Sequence, residues 1–171
     1  MIGLLTGIVA VHPYTPEWER LFGEEKARLL ACIGDYVLDI QHIGSTSVPG
    51  LAAKPIIDIG IAVASFEEAT RGIPPLEQID YTYRGEEGIP RRHLFIKGEP
   101  RTHNLHMNEI HSADWQNTIA FRDYLRQHPD SAQAYAALKT RLAQQFPDDL
   151  QGYLMGKADF IKQVLELAYS G

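Results

Sequence analysis

The sequence predicts one α/β domain of the α+β kind: a central mixed sheet flanked by helices, followed by a helical C-terminal half. Three observations carry that prediction. The run Ile56–Val63 is apolar and rich in β-branched residues apart from Asp58 and Gly60, as in an interior strand buried on both faces. His93–Lys97 and Thr102–Ile110 read as strands on either side of the turn residues Gly98-Glu99-Pro100. From Ser112 onward the apolar spacing becomes helical.

Taken in order, Thr15-Pro16-Glu17 is a helix start, with Thr15 as cap, proline at the first helical position and an acid in the first turn. Trp18, Leu21, Phe22, Glu25, Leu29 and Ile33 then give one mainly apolar face, and Gly34 ends the helix. Tyr36–Ile43 reads as a strand, and Gly44–Gly50 as a loop of small and turn-forming residues. A helix is expected over Phe66–Leu76, ended by Pro74-Pro75, then a strand at Tyr81–Arg84 and a turn over Gly85–Pro90. In the last part Ser112 caps one helix, Asp130 with Gln133 forms a capping box for a second, and Pro147-Asp148-Asp149 opens a third.

With 171 residues, 44% of them apolar, and no repeat or linker, residues 1–171 are expected to form one unit. Its sheet-rich part covers about 35–110 and its helical part about 112–168. A net charge of −6 disfavours DNA and anionic membranes as partners. No apolar run reaches the ~20 residues of a membrane helix, and Met1–Val11 lacks the basic start of a targeting signal. A cytoplasmic setting is therefore expected, with Cys32 as a buried free thiol. There is no G-x-x-x-x-G-K-[ST] phosphate loop and no zinc-type Cys/His spacing, which argues against kinase activity and a structural zinc.

Two adjacent features carry the chemistry. At the end of a strand, Gly44 lets a ligand approach the backbone closely, and Ser45, Thr46 and Ser47 offer hydroxyls and free N–H groups for phosphate oxygens. Asp58 is a carboxylate inside an otherwise apolar strand, so it needs a partner: a metal, a cation such as Lys54 or an arginine, or hydrogen-bond donors.

The run His42-Ile43-Gly44-Ser45-Thr46-Ser47-Val48-Pro49-Gly50-Leu51-Ala52-Ala53-Lys54-Pro55-Ile56-Ile57-Asp58-Ile59 resembles the signature of the GrpB-like (glutamate-rich protein B) family. Phe121–Arg126 and Tyr135–Lys139 resemble its helical half, and the likeness extends from about Val11 to Leu167. The resemblance implies a nucleotidyltransferase-like fold and kinship with a domain fused to some dephospho-coenzyme A kinases. In that superfamily pattern Gly44-Ser45 matches the pair that positions nucleotide phosphates, and Asp58 matches the first of two strand carboxylates. The second falls at Gly60. Two-metal transfer needs enough anionic ligands to hold cations about 4 Å apart, so this departure puts the standard nucleotidyl transfer in doubt.

Strand alternation places residues 104 and 106 on one face and 103 and 105 on the other, so His103 and His106 are poor joint ligands. His106 is the better neighbour for Asp58, where the superfamily pattern often has a third carboxylate. His93 is expected opposite Thr102–His106. Asp58 and His106 are thus the candidate catalytic pair and candidate ligands of a divalent metal (Mg, Mn or Zn). Lys54, Arg91, Arg92 and His93 are expected to face an anionic substrate, with Arg122 and Arg126, one helical turn apart, reaching its phosphates if their face turns to the loop. Two functions follow as expectations: an enzyme transferring a group to or from a phosphorylated, nucleotide- or coenzyme A-type small molecule, or a binding module that has lost the two-metal site. A structural domain assisting a partner is a third reading.

Overall fold

The computed structural model describes residues 1–171 and contains five α-helices, counting the short one over Ile73–Glu77, and five strands: α1 (Glu17–Ile33), β1 (Asp39–Ile43), β2 (Ile57–Val63), α2 (Ile73–Glu77), β3 (Tyr81–Tyr83), β4 (Arg92–Lys97), β5 (His103–Glu109), α3 (Ala113–Gln127), α4 (Pro129–Gln145) and α5 (Leu150–Ser170), with a 3₁₀ helix at Glu68–Gly72 leading into α2. The strands form one mixed sheet in the order β1-β2-β5-β4-β3, parallel only between β2 and β5. The class is α+β, as expected, with β2 an interior strand.

Period-two alternation gives the sheet two unlike faces. One face carries Ile40, Ile57, Ile59, Ile61, Val63, Phe95, Leu105 and Met107, which close against Trp18, Leu29 and Ile33 of α1 and Leu76 of α2 in a core of 15 buried residues. Burying such side chains contributes roughly 1.5–3 kcal/mol each and fixes the register, since a one-residue slip would turn the whole set outward. The opposite face carries Asp58, Gly60, Asn104 and His106. It looks towards α3, α4 and α5, which pack through Leu125, Ala132, Tyr135 and Val164 around Val48 and Leu51. The loop after Gly44 is thus held by the helical half as well as by the sheet.

The helix starts largely follow the expected chemistry. The Thr15 hydroxyl accepts from the Glu17 N–H at 3.3 Å, Ser112 from Trp115 at 3.2 Å and Asp149 from Gly152 at 3.0 Å. Three details differ. Strand β1 starts at Asp39, because Gly34–Tyr36 makes a 3₁₀ turn. Pro74 and Pro75 open α2 instead of ending a longer helix: in the first turn their missing N–H groups are no loss. Helix α4 begins at Pro129 with no side-chain cap, so the Asp130–Gln133 box does not form. Cys32 is free and half-buried, and its surroundings raise the thiol pKa by burial.

Candidate functional site

The site begins with the β2–β5 pairing. Parallel register sets Asp58 beside Asn104 and Gly60 beside His106, all on the sheet face that looks towards the helical half. Asn104 Nδ2 donates to Asp58 Oδ1 at 3.0 Å, and His106 Nε2 makes a longer contact to the same oxygen at 3.4 Å. Arg92 Nη1 stands 3.4 Å from His106 Nδ1. A guanidinium can only donate, so Nδ1 accepts and the neutral ring carries its proton on Nε2, towards Asp58. Burial alone would raise the Asp58 pKa, but hydrogen bonds from His106 and the Asn104 amide and the charge of the Lys54 ammonium together hold it below the ordinary carboxylate value. Asp58 is therefore ionised at neutral pH.

Its second oxygen faces the loop. Gly44 has a left-handed backbone (φ +69°), and a Cβ there would lie 2.7 Å from Asp58 Oδ2 and 3.1 Å from its Cβ. Only glycine fits both the backbone and the approach. Ser45, Thr46 and Ser47 follow in a 3₁₀ turn directly after it.

Across from Asp58 a cavity of about 490 Å³ opens between the sheet and the helices. The sheet and its loop contribute Ser45, Asp58 and His106, the helices contribute Tyr135, Lys139, Tyr153 and Lys157, and Lys54 and Arg92 also line it. Lys54 and Lys157 share the ring of Tyr153, at 5.4 and 5.0 Å from its centroid. Lys139 is 1% exposed, lies 4.7 Å from the Tyr135 centroid and donates to the Ala52 carbonyl at 2.6 Å. No carboxylate lies within ion-pair distance of these three lysines. Burial, then the charges of Lys157 and Lys54, push Lys139 down to about 6; burial and Lys54 push Lys157 down to about 8. Burial likewise lowers Lys54. The cavity is short of negative charge, which an anionic ligand would supply.

The donor set does not fit the pair of divalent ions that the superfamily pattern implies. A Cβ at Gly60 would lie 3.0 Å from Trp115 Cζ3 and 3.2 Å from Ile43 Cγ2, so α3 fills the space of a second carboxylate. The other acid on the cavity wall, Asp114, already accepts from Asn108 Nδ2 at 2.9 Å. No group of three or more His, Cys, Asp or Glu side chains is placed to hold a metal ion.

Of the residues singled out in the sequence, Gly44, Ser45, Thr46, Lys54, Asp58, Arg92 and His106 come together around this cavity. The others do not. His93 pairs with Met107, not with Thr102–His106, which puts it on the core face; there it stacks on Phe66 and bonds Tyr83 Oη at 2.8 Å and the Phe66 carbonyl at 2.7 Å. Arg91 has a left-handed backbone (φ +61°) and is turned outward onto Glu67 and Glu109 at 2.8 and 2.6 Å. Arg122 and Arg126 do turn to the loop, but from its far side, where they bind its backbone and that of β1. Arg122 Nη1 donates to the His42 carbonyl at 3.0 Å, and Arg126 Nη2 to the Ser47 carbonyl at 2.8 Å. With Ser47, Phe22 and His42 they line a separate cleft of about 640 Å³. Thr46 lines both spaces, its hydroxyl 2.9 Å from His42 Nε2.

Lys139, Lys157, Tyr135 and Tyr153 were missed as site residues. The signal was there for the lysines: Lys139 interrupts the buried α4 stripe Ala132, Tyr135, Leu142, and Lys157 sits between Tyr153 and Ile161 at four-residue spacing.

Fold and site together define an α+β domain with one strand carboxylate facing a lysine-walled cavity. The chain belongs to the GrpB family, whose pattern, described as "GrpB protein", matches residues 8–167. It is 42% identical over 175 residues to the UPF0157 protein YqkA of Bacillus subtilis, covering 97% of this chain and 51% of that one. The chain thus spans about half the length of that relative. A crystal structure of GrpB from Enterococcus faecalis, 39% identical, superposes with a TM-score of 0.88 over 94% of this chain and 98% of the other. The dephospho-CoA kinase of Mycolicibacterium paratuberculosis is 27% identical over 94% of this chain and 46% of its own length. A looser likeness to the Cid1 poly(U) polymerase structure with bound MgGTP, 12% identical with a TM-score of 0.47 over 85% of this chain and half of the other, is too distant to bear on activity.

Proposed function

We propose that the Asp58 cavity binds a phosphorylated small molecule of the nucleotide or coenzyme A kind and transfers a group to or from it. One observation carries this reading: an ionised carboxylate with one oxygen turned to a hydroxyl-rich loop stands in a cavity walled by three unpaired lysines. Ammonium groups with no carboxylate partner and aromatic flanks suit phosphate oxygens, which bring charge into a space that lacks it.

In this reading the loop at Gly44–Ser47 holds one phosphate through N–H and hydroxyl groups, and Lys54, Lys139 and Lys157 neutralise the rest of the anion. Asp58 accepts a hydrogen bond from an attacking hydroxyl through Oδ2, while Asn104 and His106 fix Oδ1 and so orient the carboxylate. The match to a dephospho-CoA kinase makes coenzyme A species a natural first set of candidates beside nucleotides.

The test is a thermal-shift screen of nucleotides, coenzyme A and dephospho-coenzyme A, since a ligand of the native state raises the melting point by mass action. The best ligand is then incubated with hydroxyl acceptors and products are followed by mass spectrometry. Turnover that is lost in Asp58→Asn while binding is kept supports the transferase; turnover unchanged in that variant removes Asp58 from the chemistry.

A second reading, a binding module without chemistry, is favoured by Trp115, which occupies the place of a second carboxylate beside Gly60. It predicts the same thermal shifts with no product from any acceptor.

A further inference from the structure

The superfamily pattern brings phosphates to a sheet carboxylate through divalent ions, yet three features of this cavity oppose that arrangement. The first is steric. Residue 60 cannot gain a side chain without displacing the Trp115 ring, which is 8% exposed and packed in place, or Ile43. The missing carboxylate is therefore built out of the fold and not only out of the sequence.

The second is that the first carboxylate is partly used. Asp58 Oδ1 already takes Asn104 and His106, which leaves Oδ2 as its one oxygen for a ligand. The third is charge. Lys54, Lys157 and Arg92, joined by Lys139 when an anion draws a proton onto it, share the cavity with only two carboxylates, Asp58 and Asp114. Two unit charges 4 Å apart interact by about 4 kcal/mol near a protein surface, so a pair of divalent cations would be repelled by the charged lysines and Arg92. The same lysines attract an anion.

Resting on the binding reading given above, we infer that this cavity takes its phosphorylated ligand without a pair of divalent cations, the ammonium groups of Lys54, Lys139 and Lys157 supplying the countercharge. Tyr153 links two of them, because both Lys54 and Lys157 lie against its ring. Lys139 joins the lining from α4, held there by the Ala52 carbonyl.

Calorimetric titration of the full chain with ADP, in EDTA and in excess Mg²⁺, decides the matter. The affinity expected in EDTA is at least that in Mg²⁺, and Lys157→Met and Lys54→Met each weaken it about tenfold or more in EDTA, equivalent to 1.4 kcal/mol. Circular dichroism and melting of both variants confirm that they fold, and two separate lysines guard against a local defect in one. Binding that vanishes in EDTA and returns with Mg²⁺ overturns the inference while leaving the cavity as the ligand site. Wild-type affinity in both lysine variants overturns it as well. If neither ADP, coenzyme A nor pyrophosphate binds under either condition, the functional reading falls with it.

Discussion

Lys139 Nζ donates to the Ala52 carbonyl at 2.6 Å and so ties helix α4 to the turn that leads into β2. The contact joins the helical half to the sheet-rich half beside the candidate site. It also holds a lysine, 1% exposed, where no carboxylate balances it.

That burial sets a pH dependence. Lys139 is held near 6 and Lys157 near 8 in the folded chain, against an ordinary value of about 10.4 for a free lysine. Between those values the unfolded chain binds more protons than the folded one, so these groups make stability rise with pH. Their adverse effect is absent above the unfolded value and complete only below the folded ones. The slope is at most about 1.4 kcal/mol per pH unit for each group. Urea denaturation at pH 7 and pH 9 should show greater stability at pH 9, and Lys139→Met should flatten the difference.

Ligand binding should take up protons for the same reason. A polyanion in the cavity raises both lysine values, so near pH 7.5 the complex holds more protons than the free protein. Calorimetric enthalpies should shift with the ionisation enthalpy of the buffer, and affinity should increase as the pH falls from 8.5 to 6. Enthalpies independent of buffer would remove the lysines from the ligand's surroundings.

His42 works in the opposite pH range. It stacks on Phe22, with 4.8 Å between ring centroids, and burial, reinforced by the charges of Arg126 and Arg122, depresses it to about 4 despite the opposing pull of Asp58. Its unfolded value is about 6.5. Stability from this residue is present above the unfolded value and is lost progressively as the pH falls towards 4. Denaturation midpoints measured at pH 7 and pH 4.5 should differ less in His42→Gln than in the wild type.

Much of this arrangement was legible in the sequence, for identifiable reasons. Asp58 stood out because a carboxylate breaks an apolar strand, and the alternation of β5 put residue 106, not 103, on its face. The Ser112 and Asp149 caps were readable because their chemistry is local. What escaped depended on register and tertiary packing. The partner of His93 was fixed by the length of the turn at 98–102, and the direction of Arg122 and Arg126 by how α3 crosses the loop. Lys139 and Lys157 belong to helices far along the chain, and only packing brings them opposite Asp58.

Gly60→Ala should destabilise the protein by roughly 1–3 kcal/mol, the usual cost of overpacking, because the added methyl meets Trp115 at 3.0 Å and Ile43 at 3.2 Å. Trp115→Leu should recover part of that loss in the double variant. Guanidinium chloride denaturation of the two single variants and the double variant measures the coupling.

Glu25 offers a control on the opposite side of the sheet. It is 1% exposed and accepts from Tyr81 and Lys97, both at 2.8 Å, and pairs with Arg28 at 3.0 Å. Glu25→Ala leaves Lys97 without its partner and should cost roughly 3 kcal/mol of stability. At a temperature where the variant is folded, ligand affinity should match the wild type.

The most direct measurement is a crystal structure with whichever nucleotide or coenzyme A species gives the largest thermal shift. Phosphate oxygens within hydrogen-bond distance of Ser45, Lys54 and Lys157, beside Asp58, are the predicted result. Phosphates seated instead in the cleft of His42 and Arg126, with the Asp58 cavity free of ligand, would contradict the account.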